Sequence, residues 1–168
     1  MLDLRHVSII DAFPVYKCPK KVFTVGAGEG QIEQYLSEIG YEVTASDIQK
    51  NNSIKNLKFM TYNILEYQEM TFPIVICSQV LEHLTDYKTA FKNLIKHTEV
   101  RLIITFPYMY SFHSPDHVNF WNDSSVKIFE EMAKPYSVAI SKIRTKPEDK
   151  EDGKWAFLLI IDKRQQYA

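Results

Sequence analysis

Two groups of residues in this 168-residue chain have the makings of a ligand site. The first is Val22-Phe23-Thr24-Val25-Gly26-Ala27-Gly28-Glu29-Gly30, an apolar run that breaks into alternate glycines and passes at once into an amphipathic helical pattern. A strand that turns into a helix across glycines lets the backbone approach a ligand and points free N–H groups at it. About 20 residues on, Tyr41-Glu42-Val43-Thr44-Ala45-Ser46-Asp47 reads as a second strand ending in a carboxylate, where the hydroxyls of a nucleoside ribose would find an acceptor. The second group is Glu82-His83, after one apolar run, with His113, Asp116 and His117 after the next. Two imidazoles and a carboxylate that converge can bind a divalent metal ion or remove a proton. Pro115 stands between His113 and His117 and argues against a helical i, i+4 ligand pair.

The elements that must position these residues follow from hydrophobic periodicity. A short helix or arm is expected over 2–13 and a first strand over about 21–25. A helix is expected to begin near Glu29, with Ile32, Tyr35, Leu36 and Ile39 on one face and Gly40 as its stop. Strands are expected at 41–46 and 57–62, with a turn at Asn51-Asn52-Ser53. Ile74-Val75-Ile76-Cys77 is wholly apolar, as a central strand buried on both faces should be. Thr85 or Asp86 then caps a helix whose inward face reads Tyr87, Ala90, Phe91, Leu94 and Ile95. A fifth strand covers 102–106. Asn122 or Asp123 caps a helix with Val126, Phe129 and Met132 inward, and Pro135 follows its end. Residues 136–143 and 155–162 read as two closing strands, antiparallel because no helix separates them, with a charged loop from Arg144 to Lys154 between. Strands alternating with helices predict an α/β fold: a doubly wound, mainly parallel seven-stranded sheet with an antiparallel closing strand, as one domain over 1–168. In such a sheet the loops leaving neighbouring central strands share one crevice, so Glu82-His83 and Asp116-His117 can meet there.

Composition bounds the function classes. A net charge of −1 gives no global pull toward nucleic acid or an anionic membrane. Cys18 and Cys77 lie far apart without a CxxC spacing, which indicates neither a disulfide framework nor a thiolate zinc site, and a reducing, cytoplasmic setting follows. The longest apolar run, Trp155 to Ile161, is too short to cross a bilayer, and the charged N-terminus does not read as a signal peptide. The chain has no obvious basic stretch interleaved with aromatics, which argues against nucleic acid as a partner. A soluble protein acting on a small molecule is expected, with its oligomeric state open.

Residues 22 to about 133 resemble the class I S-adenosylmethionine-dependent methyltransferases. Val25-Gly26-Ala27-Gly28-Glu29-Gly30 matches that family's glycine motif, although Thr24 stands where an acidic residue is usual. Gln31, not glycine, counts against the G-x-G-x-x-G of nicotinamide dehydrogenases. The resemblance implies S-adenosylmethionine as cofactor, bound by Gly26, Ala27, Gly28 and Gly30, by Asp47 and Ile48 at the ribose, and by Asn63 and Ile64 at the adenine. Ser78 and Gln79 would lie beside the methionine moiety. Asn63 reads equally well as a plain turn residue.

Glu82-His83 with Asp116-His117 is similar to two groups within this class: the metal-assisted O-methyltransferases of ubiquinone biosynthesis and the enzymes that methylate the 2′-hydroxyl at small-RNA 3′ ends. The resemblance implies His117, His83 and Glu82 as catalytic residues and Glu82, His83 and His117 as ligands of a divalent metal. Gln79 stands where a further glutamate ligand would be. The expected reaction is methyl transfer to a hydroxyl oxygen of a small molecule. The alternatives are 2′-O-methylation of an RNA end and a catalytically silent, nucleoside-binding partner subunit. Phe106, Tyr108, Tyr110, Phe112, Phe120 and Trp121 read as walls of an acceptor pocket or as core.

Overall fold

The computed structural model describes residues 2–14, 18–49, 54, 56–109, 114–145 and 154–163. In chain order the elements are α1 (Leu4–Asp11), β1 (Lys21–Val25), α2 (Gln31–Glu38), β2 (Glu42–Asp47), β3 (Lys58–Thr61), β4 (Phe72–Ser78), α3 (Tyr87–His97), β5 (Thr98–Pro107), α4 (Val126–Ala133), β6 (Ser137–Arg144) and β7 (Trp155–Asp162). Short 3-10 turns at Leu81–His83 and Asp123–Ser125 precede α3 and α4. The seven strands form one sheet in the order β3-β2-β1-β4-β5-β7-β6. β1 to β5 pair in parallel, and β7 runs antiparallel to both neighbours. Strand order reverses between β1 and β4, so the crevice beyond their carboxyl ends is where this topology accepts a ligand.

The central strands are apolar on both sides because both sides are covered. Phe23, Val25, Val75 and Cys77 face Phe91 and Leu94 of α3 and Phe129 of α4. On the other face Val22, Ile74, Ile76 and Ile103 lie beneath Ile9 and Phe13 at α1 and Ile32 and Leu36 of α2. Pro73, which has no N–H to give the ladder, coincides with a register shift between Phe72 and Ile74 against β5.

Two local expectations need correction, and one open choice is decided. Glu29 lies in the turn, not the helix, because Gly30 takes a left-handed conformation (φ 77°) as N-cap and α2 starts at Gln31. The buried side of α3 includes two polar residues, Asn93 and His97, while Tyr87 and Ile95 are only half-buried. Asn93 donates to the carbonyl of Ile64 (2.8 Å), and His97 sits between the Tyr62 hydroxyl (2.6 Å) and the Met70 carbonyl (2.9 Å). Of the two readings open for the aromatic residues, Phe106 and Trp121 take the core one, packed on Phe129 at centroid distances of 4.8 and 5.8 Å. Tyr110, Phe112 and His113, the 51–53 turn, and most of the 144–154 loop lie outside the described residues.

Helix α1 is held over the sheet by a directed contact. Arg101 on β5 donates to the carbonyl of Ala12 (2.9 Å) and pairs with Asp162 at the end of β7, both side chains mostly shielded. Removing one partner of such a pair strands the other charge, so Asp162→Ala should cost about 3 kcal/mol. Urea unfolding of the variant checks this through a lower midpoint at unchanged slope.

Candidate active site

The bend after β1 is a set of left-handed glycines, with φ values of 73° at Gly26 and 53° at Gly28. A Cβ at Gly26 would stand 2.2 Å from a methyl of Val80, so only glycine lets the loop leaving β4 close against the loop leaving β1. Gly28 has no atom within 4 Å of where its Cβ would be, so space is open on that side of the bend. Asp47 turns toward this loop: Gly28 donates its N–H to Oδ2 (3.1 Å), and Ile48 donates its own to Oδ1 (2.8 Å). Each carboxylate oxygen keeps capacity for a further donor.

A cavity of about 330 Å³ opens beside the bend. It is lined by residues 24 to 33, by Ile76, Ser78 and Gln79 at the end of β4, and by Arg5 and His6 of α1. Gln79 holds a left-handed backbone (φ 58°), uncommon for a residue with a side chain, and donates its backbone N–H to the Thr105 carbonyl (2.9 Å). The Ser78 hydroxyl bonds Oγ1 of Thr105 at 2.8 Å, and the Gln79 amide reaches the same oxygen at 3.4 Å. The structure thus gathers Gly26, Ala27, Gly28, Gly30, Ser78 and Gln79 on one cavity, with Asp47 tied to its rim. Asn63 and Ile64 are not on that wall. The Asn63 side chain closes its own turn, accepting from Leu65 N–H (3.1 Å) and donating to Glu66 (3.1 Å), and Ile64 is buried in the core.

Three wall residues went unnoticed in the sequence reading: Arg5, His6 and Glu33. His6 and Asp3 cap α1 reciprocally, His6 N–H donating to Asp3 (2.9 Å) and Asp3 N–H to His6 Nδ1 (3.1 Å). Burial holds the His6 imidazole below its ordinary pKa against the pull of Asp3. Glu33 is 2% exposed, its Oε2 without a hydrogen-bond partner, and burial pushes its carboxyl up to about 7. The one sequence signal for it was a charge placed within the apolar arc of Ile32 and Leu36.

Beyond Val80 the chain turns through Leu81–His83 and brings the second group together. Ligand-type atoms of Glu82, His83 and His117 all lie within 4.8 Å of one another, and the two imidazole rings meet edge to face at 4.8 Å between centroids. His117 arrives on a segment fastened to that turn by backbone and amide bonds. Val118 and Asn119 give their N–H groups to the Glu82 carbonyl (2.8 and 3.1 Å), and the Asn119 side chain spans the carbonyls of Leu81 and Leu84 (3.0 and 2.7 Å). Glu82 is fully buried, neither carboxylate oxygen has a hydrogen-bond partner, and burial lifts its pKa to about 8 even though nearby Arg5 lowers it. His83 pairs through Nδ1 with Asp116 (3.0 Å), and the Ser114 hydroxyl holds the Asp116 carboxyl below its usual range. A divalent ion fits this donor set. It would complete the orphaned Glu82 oxygens, and His83 bonded through one ring nitrogen to a carboxylate has the arrangement that orients a histidine ligand.

Residues 8–127 match the family described as a methyltransferase domain. No curated protein sequence matches the chain. The fold is similar to a SAM-dependent methyltransferase from Archaeoglobus fulgidus (TM-score 0.72, 16% identity, 95% of this chain and 93% of that one). It is also similar to the methyltransferase domain of bacterial CtHen1 (0.71, 17%, 95% and 97%) and to the N-methyltransferase NodS from Bradyrhizobium japonicum, solved with S-adenosylhomocysteine (0.69, 14%, 94% and 85%). The chain belongs to the methyltransferase-domain family, and its fold is that of the class I S-adenosylmethionine-dependent enzymes. Its reaction is methyl transfer from S-adenosylmethionine. Among the described residues no helix is long and apolar enough to cross a membrane.

Proposed function

We propose that the chain transfers the methyl group to a hydroxyl oxygen of a small molecule. The observation that carries this reading is the convergence of Glu82, His83 and His117 a few residues beyond the cavity wall. The methyl group on a sulfonium is already activated, so the protein must chiefly hold an acceptor in line with it, at about 3–3.5 Å. An amine is nucleophilic once neutral, whereas a hydroxyl needs a base or a metal ion to take its proton in the transfer step. In this reading Gly26, Ala27, Gly28, Gly30, Ser78 and Gln79 hold the cofactor's methionine end, and Asp47 with Ile48 holds the ribose. The adenine assignment to Asn63 and Ile64 has less support, since both side chains are occupied elsewhere. Glu82, His83 and His117 would hold a divalent ion, which supplies Lewis acidity at the acceptor oxygen when bound. With no ion held there, His117 or His83 would instead orient the acceptor or receive its proton.

A second reading, the terminal 2′-hydroxyl of an RNA, draws on the same carboxylate–histidine cluster, since that too is an alcohol needing deprotonation. Methyl-labelled S-adenosylmethionine, offered with a metabolite extract and separately with short RNAs ending in 2′-hydroxyl or 2′-deoxy sugars, tests both. Label in a small molecule, dependent on Mn²⁺ or Mg²⁺ and lost in His117→Ala, is the expected outcome. Label confined to 2′-hydroxyl RNA replaces the first reading with the second. Cofactor binding without turnover on any acceptor identifies a silent partner subunit.

A further inference from the structure

We propose that Glu33 is the residue that recognises the cofactor's amino-acid end, its buried carboxylate pairing with the α-ammonium of the methionine moiety. This rests on the cavity being the cofactor's site, as above, and assigns a residue that the glycine motif does not contain.

The cavity and Asp47 are adjacent but separate. Asp47 lies at the β2 tip, outside the lining, and suits the nucleoside sugar; the enclosed part, between the bend and α1, takes the rest of the ligand. What remains of S-adenosylmethionine beyond its adenosine is a sulfonium, a short chain, an ammonium and a carboxylate. Glu33 reaches that enclosed part from the first turn of α2, shielded from bulk water, with Oε2 lacking a hydrogen-bond donor. It stands beside Thr24 of β1, whose hydroxyl is near enough to the carboxylate to offset part of the effect of burial. A buried carboxylate with an oxygen short of a donor is costly unless a ligand completes it. An ammonium carries three donors and the opposite charge. Thr24 occupies the strand position where an acid is usual in the family; here the acid is on the facing helix. The guanidinium of Arg5, whose Nε is likewise buried and unpartnered, lines the same cavity.

The charged or titratable groups facing Glu33 are Arg5 and His6 from α1, Glu29 from the bend and Asp47 from β2; β1 and β4 present the uncharged Thr24, Val25, Ile76, Ser78 and Gln79. In the free protein burial pushes the pKa of the Glu33 carboxyl up to about 7. A ligand that needs its anion therefore gains affinity as pH rises toward 7.5, by linkage.

Calorimetry with S-adenosylhomocysteine and with 5′-methylthioadenosine, which has the nucleoside but no amino acid, separates the possibilities. Glu33→Gln keeps shape and resembles the protonated carboxyl, so the fold is retained. It should weaken S-adenosylhomocysteine roughly 10- to 100-fold, the span of one lost charged hydrogen bond, and leave 5′-methylthioadenosine unchanged. The several-fold gain in S-adenosylhomocysteine affinity between pH 6 and 7.5 should vanish in the variant, which keeps His6 and the other charged side chains of the site. Adding Thr24→Asp to Glu33→Gln should recover affinity by returning a carboxylate to the same wall. Equal affinity of wild type and Glu33→Gln for S-adenosylhomocysteine overturns the assignment, as does a parallel loss for both ligands, which would mark a structural role. Wild-type protein that binds neither ligand overturns the cavity assignment itself, and Glu33 with it.

Discussion

Asp47→Ala should lose about 100-fold in affinity for S-adenosylhomocysteine, because two ribose hydroxyls give up charge-assisted hydrogen bonds worth about 1.5 kcal/mol each. The free structure shows why the loss should be this large. Asp47 already accepts one backbone N–H on each oxygen, so its carboxylate is fixed in orientation before any ligand arrives. Its replacement also releases the Gly28 N–H from Oδ2. 5′-Methylthioadenosine should weaken in parallel, since it carries the same sugar; the pattern differs from that expected of Glu33→Gln. Calorimetry on both ligands checks it, and a change under threefold would remove Asp47 from the sugar site.

The second large effect is expected at Glu82. Wild-type protein should bind Mn²⁺, and Glu82→Gln should abolish that binding within the titratable range. Asp116→Asn, which alters only the partner of His83, should weaken it about 10- to 100-fold. Stability should move the other way. A buried carboxyl with no hydrogen-bond partner contributes nothing favourable to the metal-free fold, so Glu82→Gln should unfold at an equal or higher urea concentration than wild type. Metal affinity and stability measured on the same preparation therefore separate a ligand from a structural residue. If Glu82→Gln binds Mn²⁺ as wild type does, the cluster is not a metal site.

The sheet was legible because its signals are collective. Ile74 to Cys77 and Leu102 to Ile104 are apolar without alternation, as a strand covered on both faces requires, and both proved central. The absence of a helical segment between the last two strands likewise fixed their antiparallel pairing. The start of α2 was missed by two residues because Gly30, not Glu29, is its cap, and periodicity cannot see a left-handed backbone angle. Asn93 and His97 were invisible as buried groups since their partners, Ile64 and Met70 carbonyls and the Tyr62 hydroxyl, are remote in sequence. Within the site, the glycine bend and the Glu82, His83 and His117 convergence followed from topology, as loops leaving adjacent strands share a crevice. Arg5 and Glu33 could not be found that way. A helix crossing the cavity mouth and an acid on an apolar helix face acquire meaning only once the cavity is drawn.

The bridge made by Asn119 has a practical corollary. The peptide groups of Leu81, Glu82 and Leu84 clasp the segment bearing His117 without enlisting any of the three candidate ligand side chains. Swapping those side chains one at a time should leave the clasp shut and the remaining two at their original spacing. Each position can then be interrogated chemically, while Asn119→Ala, by loosening the clasp, should scatter all three together.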